Sequence, residues 1–255
     1  MYFNYRSNKI YFEKFGNKKE TLIILPGWGD NKKTFKNIID NLKEKFTIYI
    51  FDYPGFGKSS IPKEELTIYN YAEIIIKFMN KNNIINPIIL GHSFGGRVIT
   101  VMNGYYNINF KKIILIDAAG IKPQKKLTKN FKQNIYKLLK KISIILPKKI
   151  KEKYLDFLIS IFGSRDYKML PKGLRNTFIN IVNEDLTKYL KNINSETLII
   201  WGENDIDTPL EDGKLMNSLI KDSALIIIKK ATHFCYLEYP SYIKIVLDEY
   251  LKGEN

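Results

Sequence analysis

One serine in the chain stands in a setting that could make it a nucleophile. It lies in Gly91-His92-Ser93-Phe94-Gly95, directly after the short apolar run 88–90 and before a helical pattern that begins near Arg97. The pattern predicts a sharp turn between a buried strand and a helix, at which the serine hydroxyl is exposed. The helix N-terminus beneath it would favour a developing oxyanion. A glycine-rich turn that merely contains a serine is the simpler alternative, but the apolar flank and the further Gly96 argue against it.

The only candidate histidine bases are His92 and His233. A serine hydroxyl needs a base to accept its proton, and that base must be oriented by an acid. His92 adjoins the serine in a tight turn, where neighbouring side chains diverge, so we expect it to pack or hydrogen-bond locally. A lone loop histidine is ordinarily a surface residue, but His233 follows the apolar run 224–228 and should reach the same sheet edge as Ser93. We therefore predict that His233 is the base.

Several carboxylates could orient this base. Asp205 lies a few residues into the loop after the apolar run 197–201, and we predict that it is the acid. Glu203 and Asp207 are nearby competitors, although Asp207 can simply favour a helix N-terminus through its charge. Asp117 also follows a predicted strand and is a further alternative.

Two backbone amides are predicted to form an oxyanion hole. A carbonyl that becomes tetrahedral needs two N–H donors on its oxygen. One donor should be the amide of Phe94, which follows the serine. The other should be the amide of Trp28 in Pro26-Gly27-Trp28-Gly29, since the glycines allow the backbone to approach a substrate closely. The Trp28 indole can pack at the same time.

Short apolar runs alternate with helical patterns over most of the chain. An opening hairpin is predicted from 2–5 and 9–15, followed by strands at 21–25, 47–51, 88–90, 113–116, 197–201 and 224–228. Helices are predicted over about 32–43, 68–82, 209–220 and 240–252, with Thr67 and Thr208 as N-caps and Pro209 at a first helical position. This order is typical of an α/β fold with a mostly parallel sheet and helices on both faces.

The alternation breaks between 121 and 192, where the pattern is helical and rich in lysine. We predict a single domain over 1–255, with a core of 1–120 and 193–255 and an inserted helical cap of 121–192. Because ligand crevices of open α/β sheets lie at the carboxyl ends of the strands, an insertion leaving from that edge should roof the crevice.

Composition limits the classes of partner. The net charge is +15, but the lysines are scattered and lack the aromatic interleaving of nucleic-acid binders, so no nucleic acid is expected.

Within the cap, lysines from Lys122 to Lys153 alternate with apolar residues such as Ile135 and Leu139. Such a segment can contact an anionic membrane or an anionic substrate. A cap that covers the crevice, with solvated lysines, is the simpler interpretation.

The single cysteine, Cys235, excludes an internal disulfide and a cysteine metal cluster. The first residues lack the apolar stretch of a signal peptide, and no apolar run reaches the roughly 20 residues that span a bilayer. We therefore expect a cytoplasmic protein with no metal and no cofactor.

Five motifs together resemble the α/β-hydrolase superfamily, whose triad follows the chain order Ser, Asp, His. They are Leu25-Pro-Gly-Trp-Gly29, Asp52-Tyr-Pro-Gly-Phe-Gly57, Gly91-His-Ser-Phe-Gly-Gly96, Trp201-Gly-Glu-Asn-Asp205 and Thr232-His-Phe234. The chain is most similar to small capped serine esterases and to carbon–carbon bond hydrolases of the meta-cleavage-product type. Pro26 stands where the family usually has histidine. Ser93 argues against the haloalkane dehalogenases and epoxide hydrolases, which use aspartate there.

The resemblance implies a serine hydrolase that acts on a small acyl substrate, an ester or thioester, through an acyl-enzyme. The alternatives are a carbon–carbon bond hydrolase of a diketone, an acyltransferase, and a receptor that binds a ligand without turnover. Fold alone separates none of these.

Overall fold

Eight strands form one sheet in the order β1-β2-β4-β3-β5-β6-β7-β8. The structure is a computed structural model that describes residues 1–122, 139–141, 143, 146–162, 167, 170 and 172–254. The first two strands form an antiparallel hairpin, β2 pairs antiparallel with β4, and all the other neighbours are parallel. The predicted α/β fold with a mostly parallel sheet is therefore confirmed.

The elements lie close to the predicted ones. The strands are β1 (Tyr2–Tyr5), β2 (Asn8–Phe15), β3 (Thr21–Leu25), β4 (Thr47–Asp52), β5 (Ile88–His92), β6 (Lys112–Ile116), β7 (Thr197–Gly202) and β8 (Ser223–Ile228). The helices are α1 (Lys36–Leu42), α2 (Ile68–Lys81), α3 (Phe94–Gly104), α4 (Lys148–Phe162), α5 (Arg175–Asn183), α6 (Thr187–Leu190), α7 (Leu210–Leu219), α8 (Cys235–Glu238) and α9 (Pro240–Tyr250).

Two helix starts differ from prediction. Helix α1 begins at Lys36 rather than near 32, because Asp30 holds a turn by accepting hydrogen bonds from the Asn31 amide at 2.8 Å and the Thr34 hydroxyl at 2.9 Å. Helix α7 begins at Leu210, and the Thr208 hydroxyl does not cap it. That hydroxyl instead donates to the Asp205 carboxylate.

The strand order changes direction between β3 and β5, which is where a ligand crevice is expected in an open α/β sheet. The chain runs from β3 to β4 on one side, whereas β5 lies on the other side of β3. This change of direction leaves the carboxyl ends of β3 and β5 uncovered by a connecting segment, which is where ligands bind in open α/β sheets. Trp28 follows β3 and Ser93 follows β5, so the two predicted site segments meet at this point.

The core forms a layer on each face of the sheet. Alternate residues of β3 divide between the two layers. Ile23 and Leu25 belong to the layer that contains the buried sides of α2 and α3. Leu22 and Ile24 belong to the layer of α1 and α9. All four side chains are fully buried, so the sheet that carries the site is covered on both sides.

Between β6 and β7 the described residues contain helices and no strand. The Phe178 ring of α5 lies 5.5 Å from the Trp28 ring, and the Leu66 amide donates to the Thr177 hydroxyl at 3.1 Å. Helix α5 therefore packs over the loops at the crevice. The boundaries of the cap stay a prediction.

Much of the predicted basic amphipathic segment lies outside the described residues, including Lys125, Lys126, Lys129, Lys132, Ile135, Lys137, Leu138, Ile142 and Ile145. Among the described helices, none has both the length and the apolar character needed to cross a bilayer.

Candidate active site

Ser93 occupies a strained corner at the end of β5. Its backbone has φ 48° and ψ −110°, a combination that side-chain-bearing residues rarely adopt. Three backbone hydrogen bonds maintain it: the Ser93 amide donates to the Ile116 carbonyl at 3.1 Å, and the Ser93 carbonyl accepts from Gly96 and Ala119 at 3.0 and 2.9 Å. Such strain is characteristic of functional positions and persists only where the surroundings enforce it.

The backbone packs closely around this corner. A Cβ atom at Gly95 would collide with the carbonyl oxygen of Leu25, the last residue of β3. A Cβ atom at Gly27 would lie 3.0 Å from Nδ1 of His92, closer than side chains ordinarily pack. Glycine at position 95 therefore lets the first turn of α3 approach the end of β3, and glycine at position 27 lets the loop after β3 approach the end of β5.

His233 and Asp205 form a hydrogen-bonded pair at the carboxyl edge of the sheet. The Nδ1 atom of His233 lies 2.7 Å from Oδ2 of Asp205, whose side chain is fully buried. Burial opposes charge on both groups, but their mutual interaction outweighs it, so the pKa of His233 is raised and the pKa of Asp205 is lowered. Asp205 is thus an ionised acceptor, and Nδ1 of His233 carries the donated proton. This leaves Nε2 free to act as a base.

None of the other candidate acids forms a hydrogen bond with His233 in the part of the chain that the structure describes. Glu203 accepts a hydrogen bond from the Lys230 amide at 2.9 Å, and Asp207 is exposed. Asp117 is fully buried and accepts the Gly202 amide at 2.7 Å. Burial raises the pKa of Asp117 to about 7. Of the candidate acids, Asp205 is therefore the one that is hydrogen-bonded to His233 in the described residues.

The sequence predicts that His92 packs or hydrogen-bonds locally, and its hydrogen bond is instead to a residue distant in sequence. Its Nε2 atom lies 2.8 Å from the carbonyl oxygen of His233. Since a carbonyl only accepts, Nε2 of His92 carries the proton. Complete burial lowers the pKa of His92 to about 3, so its ring is neutral. Sequence reasoning missed this bond because it depends on the β8–α8 loop folding back onto the end of β5.

The two predicted oxyanion amides lie in the loops that meet at Ser93. Neither the Trp28 amide nor the Phe94 amide donates a hydrogen bond within the part of the chain that the structure describes. The two rings pack edge to face, with centroids 4.9 Å apart. The Trp28 indole therefore packs, and its amide stays available to an acceptor; its role in an oxyanion hole stays a prediction.

No hydrogen bond joins the Ser93 hydroxyl to His233 within the described part of the chain. Contacts of this kind are often long without substrate and tighten when substrate binds.

Asp205, Asp207 and His233 also offer ligand atoms within 4.8 Å of one another that could hold a metal ion. A cation there would compete with the hydrogen bond between Asp205 and His233.

Comparisons with known proteins agree with this architecture. The family model for the alpha/beta hydrolase fold matches residues 20–158, more than half of the chain. The pimeloyl-[acyl-carrier protein] methyl ester esterase of Wigglesworthia glossinidia brevipalpis is 29% identical over 96% of this chain and 99% of its own.

Two solved structures show the same fold. An esterase from Exiguobacterium antarcticum has a TM-score of 0.74 at 24% identity, with 96% of each chain covered. A meta-cleavage product hydrolase from Pseudomonas fluorescens has a TM-score of 0.72 at 20% identity, covering 97% of this chain and 96% of its own. The family match and the esterases among these relatives identify the chain as a hydrolase, and it belongs to the α/β-hydrolase fold family.

Proposed function

We propose that this hydrolase cleaves carboxylic esters through an acyl-enzyme on Ser93, with His233 as the base and Asp205 as the orienting acid. The observation that most supports the proposal is the 2.7 Å hydrogen bond between His233 Nδ1 and the buried Asp205. It fixes the proton on Nδ1 and so leaves Nε2 as the proton acceptor.

In the proposed reaction, Nε2 of His233 accepts the Ser93 hydroxyl proton as Oγ attacks the ester carbonyl carbon. The amides of Trp28 and Phe94 donate to the oxyanion that forms. When the tetrahedral intermediate collapses, the C–O bond of the ester breaks and His233 returns the proton to the departing alkoxide. Water then attacks the acyl-enzyme by the same route, which releases the acid and regenerates Ser93.

A carrier-bound ester is the more specific candidate substrate, and two observations favour it. A relative that aligns over nearly the whole chain is named as an esterase of a methyl ester held on acyl-carrier protein. In addition, 18 of the 41 basic residues but only 5 of the 26 acidic residues lie in the predicted cap, 121–192. Almost all of the net charge is therefore concentrated there. An anionic carrier would be attracted to this segment, and salt would screen the attraction.

Labelling with a fluorophosphonate, followed by a panel of acyl esters of graded chain length, tests the reaction. We expect labelling of the folded protein and turnover of at least one ester. Binding of esters without turnover would instead support a receptor, and acyl transfer to added alcohols in preference to water would support an acyltransferase.

To test the carrier-bound substrate, kcat/KM should be compared for pimeloyl methyl ester free and bound to acyl-carrier protein. A carrier advantage that falls as salt rises would support the second candidate, and equal values at low salt would reject it.

A further inference from the structure

Thr208 lies beside the proposed acid, in the loop between β7 and α7. It is 7% exposed. Its amide nitrogen lies 3.0 Å from Oδ1 of Asp205, and its Oγ1 atom lies 2.6 Å from Oδ2 of the same carboxylate. One residue therefore donates to both oxygens of Asp205. Two such bonds prevent the carboxylate from rotating about its Cβ–Cγ bond without losing a partner.

The donor itself is anchored to the ends of two strands. The Thr208 carbonyl accepts the indole N–H of Trp201 at 2.9 Å, and Trp201 is fully buried at the end of β7. The Thr208 Oγ1 atom also lies 3.1 Å from the carbonyl oxygen of Asp117, directly after β6. Since a hydroxyl has one proton and Asp205 is the nearer and charged acceptor, the proton belongs on the bond to Asp205.

The hydroxyl of Thr208 shares one oxygen with the histidine. Oδ2 of Asp205 accepts from Thr208 Oγ1 and from Nδ1 of His233, and Oγ1 lies 3.3 Å from that Nδ1. The Thr208 hydroxyl thereby places Oδ2 where the imidazole must bond, and it also disperses part of the charge that Oδ2 presents to the ring.

We propose that Thr208 is a positioning residue: its hydroxyl fixes the Asp205 carboxylate and thus the orientation of the His233 imidazole for proton transfer. This role rests on the proposed triad of Ser93, His233 and Asp205. It explains why the Thr208 side chain does not cap α7. The signal in the sequence is the spacing, because a threonine three residues after an aspartate can bond back to it.

Titratable groups on several segments act electrostatically on His233, and a Thr208 substitution removes none of them. They come from the β7–α7 loop, the end of β6, the end of β5 and the loop after β3, and they are Asp205, Asp207, Asp117, His92 and Asp30. A difference in pH profile between Thr208 variants therefore does not arise from a titratable group that was gained or lost.

The test compares Thr208→Val, which removes the hydroxyl, with Thr208→Ser, which keeps it. Loss of a hydrogen bond to a charged group predicts that kcat falls about tenfold to a hundredfold in Thr208→Val, with KM little changed. The acidic limb of the kcat/KM profile should move to higher pH, because the undispersed charge on Oδ2 stabilises the protonated ring. Thr208→Ser should restore both. If Thr208→Val fails to fold, Thr208→Ala serves the same comparison.

A double-mutant cycle shows whether Thr208 acts through Asp205. In an Asp205→Ala background, Thr208→Val should cause no further loss of kcat. The proposal would be overturned if the losses of kcat in the double variant were multiplicative. It would also be overturned if a folded Thr208→Val kept the wild-type kcat, or if Thr208→Ser were as impaired as Thr208→Val. Failure of the triad itself gives a different result, since Ser93→Ala or Asp205→Ala would then keep wild-type turnover.

Discussion

The Nε2 atom of His92 lies 2.8 Å from the carbonyl oxygen of His233 and joins the nucleophile corner to the loop of the proposed base. The neutral His92 ring packs against the rings of Phe35 and Tyr236, with centroid distances of 6.4 and 4.9 Å. His92 thus supports the backbone of His233. The Nε2 atom of the His233 side chain stays free for proton transfer.

Replacing each histidine should separate these roles. His92→Ala removes a buried ring and a hydrogen bond, so the free energy of unfolding should fall by about 3 kcal/mol. Where it remains folded, it should keep much more activity than His233→Ala, since only the latter lacks the base. Urea unfolding and kcat below the melting transition measure the two effects. A folded His92→Ala that is as inactive as His233→Ala would mean that the base is misassigned.

The proposed acid can be distinguished from its neighbours by amide substitution. Asp205→Asn should lower kcat by about 10³–10⁴-fold, because an amide can impose the wrong tautomer on His233. Asp207→Asn is a matched control from the same loop and should stay close to wild type. Equal losses in the two variants, or a dominant loss in Asp117→Asn, would contradict the assignment.

Asp117 should make stability depend on pH. Burial raises its folded pKa to about 7 from an ordinary 3.8. The folded state therefore binds the proton more tightly than the unfolded state, and stability falls as pH rises through this interval. The amide of Asp117→Asn does not titrate. Between about pH 5 and about pH 8, this variant should therefore lose about 3 kcal/mol less free energy of unfolding than the wild-type protein loses. Denaturant titrations at both pH values measure this difference, and parallel profiles for the two proteins would refute it.

Gly95 should be intolerant of a side chain. The methyl group of Gly95→Ala would collide with the Leu25 carbonyl in the middle of the sheet, at a cost on the order of 3 kcal/mol. Gly173→Ala is the control, because no atom lies within 4 Å of its added Cβ. Thermal melting of both variants tests the contrast. A Gly95→Ala protein as stable as Gly173→Ala would show that α3 can move away from β3 at little cost.

The sequence predicted the sheet well because fully buried parallel strands appear as short apolar runs such as 88–90 and 197–201. It also predicted that Ser93, Asp205 and His233 lie at one edge, since the carboxyl ends of parallel strands share that edge. It could not predict the partner of His92 or the two-oxygen contact of Thr208. The His92 bond depends on how loops distant in sequence fold onto each other, which neither periodicity nor spacing encodes. The spacing of Thr208 from Asp205 permits the local contact, but the same residue before Pro209 also fits a helix N-cap, and the sequence predicted that cap.

Fluorophosphonate labelling of Ser93→Ala, read by intact mass, tests the central claim most directly. Wild-type protein should gain one phosphonyl group, and peptide mapping should place it on Ser93. The folded Ser93→Ala variant should gain none and should lose ester hydrolysis, because no other hydroxyl occupies the strained corner after β5. Labelling or turnover that persists in folded Ser93→Ala would contradict the account and place the nucleophile elsewhere.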